Sequence, residues 1–149
     1  MPWDCTDITE ETRKMKTYSE LILIPTFQGR FDYLKLKGGV AQETFGSKRW
    51  LNQIFYQSPE WRLARRKAII RDQGNDLGCD GWAIMKKIYV HHINPITEED
   101  ILNRADCLFD LENLICCSDA THKAITFGDE NLLPKAFIER RPGDTCPWR

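Results

Sequence analysis

Apolar positions along this chain fall into short stretches, most of them at helical spacing, divided by turn residues. Residues 18–36 mix apolar and polar positions, and Thr26 supplies an N-cap for a helix carrying Phe27, Phe31, Tyr33 and Leu34, which Gly38-Gly39 should end. A second unit over residues 44–57 brings Phe45, Trp50, Leu51, Ile54, Phe55 and Tyr56, and Ser58-Pro59 breaks it and starts another helix. That helix, over Pro59 to Asp72, sets Trp61, Ala64, Ala68 and Ile69 at core spacing. Residues 73–80 are turn-rich. Residues 82–85 and 88–92 are apolar or β-branched runs around Lys86-Lys87, and predict a β-hairpin. Thr97, with Glu98, Glu99 and Asp100 behind it, opens a short helix ending near Ala105. Residues 113–117 are apolar and extended. Ser118 caps a helix that runs through His122 to about Ile125 and closes at Gly128. The division expected is a polar, loosely held tail over 1–17 and one domain over 18–149. Within that domain, 18–58 form a helical extension, 59–128 the core and 129–149 a C-terminal tail.

The length of 149 residues suits one domain with a modest core. With 42% hydrophobic and 29% charged residues the composition carries no sign of global disorder. Net charge is -1, so contact with nucleic acid has to come from a local patch. One candidate exists on the helix over Pro59 to Asp72. Arg62, Arg65 and Arg66 lie at i, i+3, i+4, with Lys67 and Arg71 nearby; the group reads either as a stripe contacting DNA phosphates or as a solvated helix face. No apolar run approaches the roughly 20 residues of a membrane span, the longest, from Leu21, stopping at Pro25. Residues 1–5 have neither the basic nor the apolar region of a secretory signal, so a cytoplasmic protein is expected, without a membrane partner. None of the six cysteines forms a Cys-x-x-Cys pair, and Cys116-Cys117 are adjacent. Reduced thiols packed as small hydrophobic groups are expected, and no structural zinc.

All three histidines, His91, His92 and His122, lie in the second half of the chain. Two are adjacent at the end of an expected strand, so their side chains should leave on opposite faces, which lets one bind a metal while the other faces substrate. The third lies on a helix. Taken singly, each could as well be a core-packing histidine. Together with Pro95 behind the pair and Asn113 ahead of His122, the group is harder to dismiss. The stretches His91-His92-Ile93-Asn94-Pro95-Ile96, Phe109-Asp110-Leu111-Glu112-Asn113-Leu114-Ile115 and His122-Lys123-Ala124-Ile125 resemble the signature of the HNH nucleases. The resemblance is to colicin-type DNase domains and to small HNH proteins encoded by bacteriophages.

That resemblance implies an α+β fold with a ββα-metal (His-Me finger) core flanked by N-terminal helices. It implies hydrolysis of DNA phosphodiester bonds, as nicks or double-strand cuts, with one divalent metal ion, Mg2+ or Mn2+ foremost, and Zn2+, Ni2+ or Co2+ as alternatives. By the family pattern His91 and His122 are metal ligands, His92 is the general base that deprotonates the attacking water, and Asn113 braces the loop carrying that base. The pattern also sets a histidine one helical turn after His122, where this chain has Thr126. A threonine hydroxyl is a poor ligand, and its oxygen can instead bond the carbonyl one turn back. An isolated substitution, natural or engineered, explains the difference better than decay of the whole site. Duplex DNA is the implied partner, and the phage likeness extends the expectation to terminase and portal proteins. A catalytically reduced DNA-binding or assembly module of a packaging complex is the competing expectation. The aromatic-rich residues 18–58 would dock a partner in that case, or pack against the nuclease half in either case.

Overall fold

A computed structural model describes residues 15–36 and 49–135. Among them the architecture is α+β: helices around a two-stranded antiparallel sheet. The helices are α1 (Tyr18–Leu21), α2 (Phe27–Leu34), α3 (Arg49–Gln57), α4 (Pro59–Asp72), α5 (Glu98–Leu102) and α6 (Asp119–Phe127), and the strands are β1 (Tyr89–His92) and β2 (Leu114–Cys117). The expected helix ends at Gly38-Gly39 and at Thr44, most of the N-terminal tail, Cys5, Cys146 and residues 136–149 lie outside the described residues.

Local chemistry sets the helix boundaries. Thr26, Ser58, Thr97 and Ser118 each accept a backbone N–H of the first turn. Thr97 and Asp100 form a reciprocal capping box. α6 closes at Gly128, whose φ of 67° needs no Cβ, and an added Cβ would lie 2.5 Å from the Leu36 carbonyl oxygen. α5 stops at Leu102, short of Ala105, because Arg104 turns into the left-handed region.

The expected hairpin within residues 82–92 is not formed. β1 pairs with β2, in the register Tyr89↔Cys117 to His92↔Leu114. Residues 82–84 run back against the preceding loop instead, with a bridge Asn75↔Ala83 and a bond from Ile84 N–H to Gly74 O at 3.0 Å. A two-residue hairpin turn needs positive φ, which Lys86-Lys87 does not supply. The positive-φ residues lie earlier, at Gln73, Gly74, Leu77, Gly78 and Gly81. The strand partner is the fully buried run Leu114-Ile115-Cys116-Cys117.

Alternation along the strands divides the core in two. Ile115 and Cys117 pack with Ala124 and Ile125 of α6, with α1 and α2, and with Tyr89 at the edge. Leu114 and Cys116 pack with Trp61, Ala64 and Ala68 of α4, with Phe55 of α3, and with Val90. The sheet is thus a thin partition, α6 on one face and α4 on the other. Cys79, Cys116 and Cys117 are buried free thiols, as expected, and burial pushes the thiols of all three up. Among the described residues no helix is long and apolar enough to cross a membrane.

Candidate metal and histidine site

β1 ends on the two histidines, and its alternation sends them apart. His91 shares the α6 face with Tyr89. Its ring meets that of His122 edge-on, centroids 5.4 Å apart, and His122 is in turn stacked on Tyr89 at 5.3 Å and 15°. Part of the His91 residue is accessible, but its Nε2 is fully covered and has no hydrogen-bond partner. Burial pushes its pKa down to about 3, helped by the nearby His122 and His92. His122 is lowered as well, by burial first, with Asp119 acting against the shift. Both imidazoles are therefore neutral at neutral pH, the form a metal requires.

Thr126 follows one turn after His122 and is buried. Its hydroxyl donates to the His122 carbonyl at 2.8 Å, the local bond expected of threonine in a helix. The structure therefore brings together two imidazoles and, where a third ligand would sit, a hydroxyl occupied by its own helix. Among the described residues no group of three or more His, Cys, Asp or Glu is arranged to hold a metal ion.

His92 leaves β1 on the α4 face and is 6% exposed. Its ring stacks on Trp61 at 5.1 Å and 25°, with Phe55 at 6.0 Å. Nε2 lies 3.0 Å from the Leu108 carbonyl oxygen. A carbonyl only accepts, so Nε2 carries the proton and Nδ1 keeps the free lone pair. Burial lowers the pKa to about 4, against the upward pull of the Leu108 bond, so the ring is neutral at neutral pH.

Asn113, just ahead of β2, is 5% exposed and holds the two ends of the long β1–β2 connection. Its Oδ1 accepts from the Asn94 backbone N–H and from Asn94 Nδ2, both at 2.8 Å. Its Nδ2 donates to the Cys107 carbonyl at 2.9 Å, one residue before the carbonyl that holds His92. Asn113 therefore bonds both ends of the β1–β2 connection, with the Leu108 contact of His92 next to its Cys107 bond.

The basic stripe is smaller than the sequence suggested. Arg62, Arg66 and Lys67 are exposed on α4. Arg65 is partly engaged, donating to the Ile88 carbonyl at 2.7 Å. Arg71 leaves the stripe altogether. Its guanidinium is paired with Asp72 at 2.9 Å, donates to the carbonyls of Leu111 and Leu114, and lies 3.4 Å over the Tyr18 ring. Four of its guanidinium N–H groups are committed to internal partners, which makes it a structural residue. The three exposed cations lie on the α4 side of the sheet, across from the His91–His122 pair.

Two buried acids carried no periodic signal and escaped the sequence reading. Asp72 accepts the Cys116 backbone N–H at 3.0 Å, and so ties α4 to β2. Asp76 accepts from Thr121 Oγ1 at 2.6 Å, from Ser118 Oγ at 2.7 Å and from the Ser118 N–H at 3.2 Å. It pins the first turn of the helix that carries His122. Asp76 stands in a glycine-containing turn, where an aspartate is ordinarily a turn former and not a buried anchor. No protein-family model, curated protein or solved structure matches this chain.

Proposed function

We propose that this chain is a metal-dependent endonuclease of the HNH type, with a ββα-metal core formed by β1, β2 and α6, hydrolysing phosphodiester bonds of duplex DNA. The observation that carries this reading is the buried, unpartnered Nε2 of His91 beside the ring of His122. A buried polar nitrogen without a partner is costly, and a divalent ion shared by two neutral imidazoles would satisfy it. His91 and His122 would hold the ion. Imidazole donors suit Zn2+, Ni2+ or Co2+ at least as well as Mg2+ or Mn2+. When bound, the ion supplies charge neutralisation at the scissile phosphate and its leaving oxygen.

The remaining work falls to the chain's own groups. His92 takes the proton of the attacking water at Nδ1, since Nε2 is committed to Leu108. Asn113 holds the loop that fixes this ring. Arg62, Arg66 and Lys67 would contact DNA phosphates without reading sequence.

A second reading is favoured by one observation, the hydroxyl of Thr126 turned to its own helix. It makes the chain a catalytically reduced DNA-binding or assembly module, of the kind that would serve a phage packaging complex with terminase and portal. Plasmid nicking across Mg2+, Mn2+, Zn2+, Ni2+ and Co2+ tests the two. Metal-dependent nicking abolished by His92→Ala supports the enzyme. Silence in every metal, together with retained duplex binding, supports the module.

A further inference from the structure

The segment ahead of α1 reads in sequence as the end of a loose tail, yet it is bonded to the histidine loop. Lys16 N–H donates to Asn94 Oδ1 at 3.0 Å, and Asn94 Nδ2 donates back to Lys16 O at 2.7 Å, across a separation of 78 positions. The same Nδ2 gives its second proton to Asn113 Oδ1. Both amide protons of Asn94 and its carbonyl oxygen are thus engaged, by the N-terminal segment on one side and by Asn113 on the other. Three residues on, Ser19 grips Glu112 through its backbone N–H at 3.0 Å and its hydroxyl at 2.9 Å. Residues 16–19 therefore close both ends of the β1–β2 connection, next to Asn94 on one side and Asn113 on the other.

We propose that Asn94 is a positioning residue, through which the N-terminal strap at Lys16 fixes the tautomer and aim of His92. The coupling runs from Lys16 to Asn94, to the Asn113 amide, to the Cys107 carbonyl and to the adjacent Leu108 carbonyl on His92 Nε2. Asn113 cannot turn its amide without losing Cys107, and Asn94 is what keeps it from turning. Polar networks of this kind are felt as a unit, so breaking one member loosens the others.

Asn94→Asp is the test, because it keeps size and removes both donated protons, setting a carboxylate against Lys16 O and Asn113 Oδ1. The first readout is the pair of imidazole nitrogen resonances of His92 in the metal-free full chain at neutral pH. The present chain should show a single Nε2–H tautomer with a slowly exchanging proton. Asn94→Asp should show mixed tautomers and faster exchange. Lys16→Ala keeps the backbone bonds to Asn94 but removes the Nζ bond to the Tyr33 carbonyl, and should mix the His92 tautomers less than Asn94→Asp does. The second readout rests on the nuclease reading: kcat should fall roughly 10–100-fold, with KM and metal affinity unchanged, as for a displaced supporting group. Should Asn94→Asp fail to fold, Ser19→Ala loosens the strap at an exposed bond and should give the same tautomer mixing to a smaller degree. An unaltered His92 spectrum in a folded Asn94→Asp protein, or in Ser19→Ala if the former does not fold, overturns the proposal. If no form of the protein cuts DNA, the tautomer readout still decides it.

Discussion

His91 and His92 are neighbours in sequence, leave β1 on opposite faces, and enter unlike surroundings. On the α6 face the His91 nitrogen is covered yet unbonded, beside another imidazole and a tyrosine ring. On the α4 face the His92 ring is held on three sides, Trp61 and Phe55 fixing its plane and a carbonyl holding Nε2, which leaves Nδ1 with its lone pair. The buried acids follow the same division. Asp72, toward α4, is paired with a guanidinium, while Asp76, toward α6, is held only by hydroxyls and an amide. One face is built to fix a ring in place, and the other keeps donor capacity in reserve. Two adjacent residues of one type can therefore serve different chemistry, because strand alternation hands them to different cores.

The largest expected effect tests that division of labour. His92→Ala should lower DNA nicking by about 10²–10⁴-fold, the range of general-base catalysis, and leave calorimetric metal affinity near its starting value. His91→Ala should do the reverse at the binding level and abolish measurable metal affinity. If His92→Ala removes metal binding while His91→Ala does not, the roles of the two faces are exchanged.

Thr126→His acts on the α6 face alone. A third imidazole replaces a hydroxyl committed to the His122 carbonyl, so metal affinity should rise about tenfold or more. Metal binds the folded state preferentially, so the melting temperature in saturating metal should rise with it. Nicking should appear at metal concentrations where the present chain is silent, and the double variant with His92→Ala should bind metal as tightly and fail to cut. Tighter metal with no cleavage of any DNA form would favour the assembly module.

A smaller effect concerns the outer surface of α4. Changing Arg62, Arg66 and Lys67 to Gln should weaken binding to all duplexes alike and flatten the salt dependence by about one slope unit per lost phosphate contact. Because these cations lie across the sheet from the histidine pair, metal affinity should be untouched. An unchanged salt slope would move DNA binding to the α6 side, where Lys87 and Lys123 flank Tyr89.

Residues that act locally were legible in sequence. The four hydroxyl caps and Gly128 mark helix ends because their chemistry is satisfied within a few residues. The opposed histidines and the back-bonded Thr126 follow from strand or helix geometry once the elements are known, whereas a bracing Asn113 was implied by the family resemblance alone. What escaped was long-range. The partner of β1 lies beyond the intervening connection, so local β propensity pointed to the wrong strand. Arg71 looked like its exposed neighbours, since nothing local says that Tyr18, Leu111 and Leu114 converge on it. Asp76 looked like a turn residue until α6 packed against it.

The smallest expected effect belongs to Asp76 and is read as a dependence on pH. Burial raises its pKa above the ordinary 3.8 of an aspartate, although the bonds from Thr121 and Ser118 pull the other way. As pH climbs past that ordinary value, the unfolded chain releases this proton first, while the folded chain still holds it. The unfolded state is thereby favoured, so the Asp76 contribution falls with rising pH until the raised folded pKa is passed, and is flat beyond. The exposed acids Glu60 and Asp119 are shifted down and act in the opposite sense, so total stability does not isolate the effect. The difference between the present chain and Asp76→Asn does, since both share those acids. Urea unfolding at a series of pH values from about 3 upward should show the present chain losing stability relative to the asparagine variant through that window, then a constant gap. The comparison across the sheet sharpens it. Metal affinity, read on the same two proteins, should weaken in Asp76→Asn, because the first turn of the His122 helix loses part of its anchor. The His92 nitrogen resonances, on the other face, should not move. A stability gap independent of pH would mean that Asp76 titrates as an exposed acid, and that the anchor of α6 is carried by Ser118 and Thr121 alone.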